Sequence, residues 1–127
     1  PGQSVEYLVY VTPTDYNAYL RGITYNAAEG SEESKVCTAV DATTTNATTV
    51  ADACKGISLK VEVVGDNNKT ATATKTESNL RGYMLTKNTY GQVKVTISYE
   101  ENSAKADGDF DVKFGDITLV YSTADGQ

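Results

Sequence analysis

Residues 109–122 read Asp-Phe-Asp-Val-Lys-Phe-Gly-Asp-Ile-Thr-Leu-Val-Tyr-Ser, and this stretch decides the fold class. Phe110, Val112 and Phe114 recur at every second position, and so do Ile117, Leu119 and Tyr121, but the two sets have opposite parity. Successive side chains of a strand point to opposite faces, so each triplet marks one face of a strand rather than the stripe of a helix. Gly115-Asp116 separates the triplets, where a bulge would restore one continuous core face.

The same period of two runs outward from there. Residues 4–12 put Val5, Tyr7, Val9 and Val11 on one face, and by this parity Tyr7, like Tyr99 and Tyr121, is expected in the core. Residues 57–64 alternate Ile57, Leu59, Val61 and Val63 inward with Ser58, Lys60 and Glu62 outward. Residues 92–100 alternate Val93, Val95, Ile97 and Tyr99 inward with Lys94, Thr96 and Ser98 outward. Weaker strands are expected at 19–25, 35–40, 70–76 and 80–86. Polar turns punctuate them at 65–68, 88–91 and 107–109. A short helical turn fits only around residues 50–53, and residues 123–127 read as a frayed end or the start of a linker. The expectation is all-β: one antiparallel β-sandwich domain over residues 1–127, jelly-roll or immunoglobulin-like.

Cys37 and Cys54 enclose a low-complexity run of mostly Thr, Ala, Asp, Asn and Val. We expect them to form one structural disulfide, which implies an oxidising compartment and so an extracellular, secreted or cell-surface protein. Two unrelated buried thiols are the alternative. The chain begins at Pro1 and reads as a mature protein or a module from a longer one. Two sequons, at Asn46 and Asn68, arise easily by chance in so Thr-rich a chain.

Charge and residue types exclude several functions. With 17 acidic against 11 basic residues the net charge is −6, which argues against a nucleic-acid partner and against an anionic membrane. The absence of histidine removes Ser-His-Asp and Cys-His catalysis together with the usual zinc ligand, and no phosphate-binding glycine loop occurs. The chain reads as a non-enzyme.

Three features are left to carry a function. Nine tyrosines stand beside no tryptophan. Tyrosine rings stack on sugar faces and offer a hydroxyl, and Tyr19, Arg21 and Tyr25 share one side of a strand, with Arg81 beside Tyr83. Covering the edge of a small core is the plainer role for these rings. Lys60, Lys94 and Lys113 sit mid-strand on outward faces, a pattern that suits a carboxylated polysaccharide. Cross-strand pairing with Glu62 and Asp111 is the plainer account. Asp107, Asp109 and Asp111 alternate through a turn, and such oxygens suit calcium, although a polar turn needs no metal.

The stretch 109–122 resembles the last strand of jelly-roll carbohydrate-binding modules, which end on an aromatic alternating strand, an Asp and a short apolar strand. The resemblance covers about 14 residues. It implies a non-catalytic module of a secreted protein that binds a plant-type polysaccharide, an acidic one if the lysines serve. It also implies a structural calcium between Glu6 and Asp116. The chain departs from the commoner pattern in lacking a tryptophan platform, so Tyr or Lys would have to substitute. The alternative expectation is a structural subunit or adhesin domain of a pilus, filament or cell-surface protein, with subunit contacts made by the strand at 4–12.

Overall fold

The computed structural model describes residues 2–28 and 34–124. Of the end segment expected to fray, residues 125–127 lie outside the described residues. The fold is an antiparallel β-sandwich with one disulfide, as the alternation requires. Its elements are β1 (Gln3–Val11), β2 (Ala18–Tyr25), β3 (Lys35–Ala39), α1 (Ala47–Cys54), β4 (Ile57–Val64), β5 (Thr70–Ala73), β6 (Met84–Leu85), β7 (Gly91–Tyr99), β8 (Phe110–Phe114) and β9 (Ile117–Ser122). They form a four-stranded sheet in the order β1-β7-β4-β5, a three-stranded sheet β6-β2-β9 and a two-stranded sheet β3-β8.

The register follows from alternation. β4 and β5 are antiparallel, with Val61 opposite Ala73 and Val63 opposite Ala71. All four of these side chains are buried, while Thr70 and Thr72 face solvent. β1 and β7 also run antiparallel: the Gly2 amide bonds the Tyr99 carbonyl at one end (2.5 Å), and the Tyr10 ring meets Tyr90 at the other.

The chain forms two compact units. One comprises Pro1–Val5, Tyr25–Leu59 and Ile97–Asp116; the other comprises Glu6–Thr24, Lys60–Thr96 and Ile117–Gln127. The first has a thin core of Ala28, Val50, Ala53 and Ile57, all small or medium residues. The Cys37–Cys54 disulfide supplements it by tying α1 to β3 across a separation of 17 residues. The second has a denser core of Leu20, Ile23, Val61, Val63, Ala71, Ala73, Leu85 and Val93.

Three expectations are corrected. The parity switch at Gly115-Asp116 is not a bulge in one strand: β8 pairs with β3, and β9 belongs to the sheet of β2 and β6. The break is held by two separate bonds, Gly115 amide to Ser34 carbonyl (2.7 Å) and Asn26 amide to Asp116 carbonyl (2.9 Å). The helical turn extends over all of Ala47–Cys54, because Asn46 caps it: its side-chain oxygen accepts the Thr48 amide at 2.8 Å. Tyr7 is not in the core. It is 55% exposed, and its row-mates Val5 and Val9 are 52% and 54% exposed. Alternation sorts side chains into two faces but does not say that a second layer covers either one.

Candidate functional site

The side chains singled out by sequence fall into small, separate groups. On β2, the Arg21 guanidinium lies over the Tyr19 ring, 5.6 Å from its centroid, and also donates to the Ala124 carbonyl at 2.8 Å. The neighbouring β6 holds Met84 opposite Tyr19, and the Leu20 amide bonds the Tyr83 carbonyl. Tyr83 carries a cation of its own, since Lys69 Nζ sits 5.1 Å from its ring centroid. Arg81 is exposed and turns its guanidinium onto the Leu80 carbonyl. Contacts of this kind are each worth about 0.5–2 kcal/mol, and here they fix the orientation of the two half-buried rings.

Tyr25 is in the other unit, its hydroxyl 3.5 Å from the Leu59 carbonyl. Lys60 and Lys94 do come together, on adjacent strands β4 and β7, but Glu62 lies within reach of both, at 3.5 and 3.9 Å. The expected triple-lysine patch is therefore a pair around a carboxylate. Lys113 stands on β8 opposite Val36, in a different sheet.

The acidic turn has a structural use. Asp107 accepts the Asn46 amide (3.0 Å) and the Thr49 hydroxyl (2.8 Å), and so fastens the start of α1. These bonds, the Thr49 hydroxyl first, hold its carboxyl below the ordinary carboxylate range. Thr43 does the same for Asp41 through its hydroxyl (2.7 Å) and amide (3.0 Å). A depressed folded pKa stabilises above the unfolded value, near 3.9, and that stability is lost as pH falls through the lower folded value. Acid unfolding followed by circular dichroism is therefore expected to begin below about pH 4 and to fall less steeply in Asp107→Asn. An unchanged acid limb would show that the contact contributes nothing.

Glu6 lies exposed on β1, and Asp116, also exposed, lies between β8 and β9. Among the described residues no group of three or more His, Cys, Asp or Glu gathers around a point. No helix among them is long and apolar enough to cross a membrane.

The strand at 4–12, expected to make subunit contacts, is β1, and what the sequence did not show is how open its surface is. The strand is the edge of its sheet, and every described residue from Gln3 to Tyr10 is exposed. Leu8 and Tyr10, on the face opposite Tyr7, are 52% and 62% exposed, so both faces of the strand carry open apolar side chains. At its C-terminal end Tyr10 and Tyr90 pack edge to face, centroids 6.3 Å apart. Tyr90 is 79% exposed, and Tyr16, in the turn that follows β1, is 68% exposed. That turn is pinned by the Asn88 amide on the Pro13 carbonyl (2.7 Å) and the Lys87 amide on Asn17 Oδ1 (2.9 Å). The length of the apolar run was visible in the sequence; its position at a sheet edge was not. Compared with family models, curated proteins and solved structures, the chain matches none.

Proposed function

We propose that this chain is a structural or adhesin-type domain of an extracellular assembly, joined to its neighbours by strand addition at β1. The observation that carries the reading is that edge strand: nine residues, with Val5, Tyr7 and Val9 open on one face, Leu8 and Tyr10 open on the other, and Glu6 its only charge. Proteins that stay apart guard such edges with lysines, prolines, bulges or short strands. β5, at the opposite edge of the same sheet, is short, with Lys69 just before it and Lys75 two residues beyond it. β1 carries no such guard. Strand addition would satisfy its outward amides and carbonyls and cover its exposed rings together. The disulfide fits an oxidising setting for such a protein.

Sedimentation of the protein at rising concentration tests this. Association that deepens with concentration is expected, with at least tenfold weakening in Val9→Lys, whose charge would meet an apolar partner. A strict monomer at every concentration would sink the proposal.

A second reading, binding of a polysaccharide, draws on the exposed rings of Tyr10, Tyr16 and Tyr90 rather than on the Tyr19, Tyr25 and Tyr83 set. The same samples titrated with neutral and uronic-acid polysaccharides, with and without a calcium chelator, test it. Saturable binding lost in Tyr90→Ala is expected on that reading, and no binding to any polymer removes it.

A further inference from the structure

Resting on the assembly reading above, we infer that the partner of β1 is β1 of a second copy, paired antiparallel about a twofold axis at Tyr7. The strand is self-complementary in that register. Centred on Tyr7, Val5 stands opposite Val9 of the other copy and Tyr7 opposite Tyr7, so one face becomes an unbroken apolar row. On the other face Glu6 stands opposite Leu8, and Ser4 opposite Tyr10. The two Glu6 carboxylates are then diagonal, about 7–8 Å apart, rather than facing. A one-residue slip in register would place Val5 opposite Tyr10 or Leu8 and mix the two rows.

The exposed side chains agree. Val5, Tyr7, Leu8, Val9 and Tyr10 are each more than half exposed. Pairing sets the flank of each against its opposite number, and these cross-strand contacts add to the ladder of main-chain bonds that joins the two edges. The charge also agrees. The chain as a whole carries −6, which would oppose self-association, but only one acid of the 17 lies on β1. A twofold interface is closed, so the product is a discrete dimer in which the two four-stranded sheets join as one of eight strands.

Cysteine cross-linking of the full chain tests both register and symmetry. The described cysteines are both in the disulfide, so an introduced thiol meets no other among them. Opposed residues of an antiparallel pair are about 4.5–5.5 Å apart, a distance a disulfide spans. Tyr7→Cys, which faces itself, is expected to form covalent dimers under mild oxidation. Val5→Cys alone is expected to form few, and Val5→Cys mixed with Val9→Cys to form the mixed dimer. In sedimentation, Glu6→Gln is expected to tighten the dimer severalfold.

A dimer that does not grow further, with this cross-linking pattern, supports the inference. Open-ended growth, or dimers that Tyr7→Cys does not trap, overturns twofold pairing while leaving assembly through β1 standing. A strict monomer overturns both.

Discussion

Replacing both cysteines, as Cys37→Ser with Cys54→Ser, is expected to cost about 3 kcal/mol of stability, from the loop-closure entropy of a ring of this length. For a chain of this size that lowers Tm by roughly 10 °C. The effect is large because of where the bond lies. Among the described residues, the apolar side chains buried in the unit that contains it are Ala28, Val50, Ala53 and Ile57, and none of these is aromatic or larger than isoleucine. α1 has eight residues, which is too short to persist on helical propensity alone. It stays in place through Val50 and Ala53, through Asp107 at its start, and through Cys54 at its last turn. Thermal unfolding by circular dichroism, with and without reductant, measures the loss. Equal midpoints for the two forms would mean that packing alone holds α1 on β3.

Gly115→Ala is the second large effect, expected to destabilise by about 3 kcal/mol, the upper part of the range for forced overpacking. A Cβ at this position would overlap the Asn26 carbonyl oxygen and press on the Ala27 backbone. Those neighbours are main chain and cannot swing aside as a side chain would. The same residue donates its amide to Ser34, and the next receives a bond from Asn26, so backing away breaks the contacts that seat the chain between β8 and β9. Gly108→Ala is the milder comparison, because the atoms nearest its added methyl belong to the Thr45 side chain, which can give, and not to main chain. Urea titration of the two variants separates them; similar midpoints would show that the crossing from one sheet to the other relaxes freely.

The strands were legible because burial follows period two. β4 runs over residues 57–64 as expected, with Val61 and Val63 fully inside, and β7 lies one residue from its expected place. What alternation does not encode is which strand lies beside which. Lys60 and Lys94 were rightly placed on outward faces and meet because β4 and β7 are neighbours. Lys113 has the same local pattern but lies on β8, which pairs with β3. Lys69 over Tyr83 was illegible for a related reason, since a turn meeting an irregular segment 14 residues later leaves no periodic mark. Tyr7 shows the limit from the other side: the sequence separates the two faces of β1, yet only the sheet order puts the strand on an open edge.

The disulfide has one more consequence. Residues 38–53 lie inside a covalent ring closed by Cys37 and Cys54, and most of the turn at 41–46 is open to solvent. A peptide bond cut in that turn leaves every atom of the protein in one molecule, and its fragments part only when the sulfurs are reduced. The exposed Ala42, between the cap at Asn46 and the end of β3, is therefore the natural place to attach a label, since even a break there leaves the strands on either side joined.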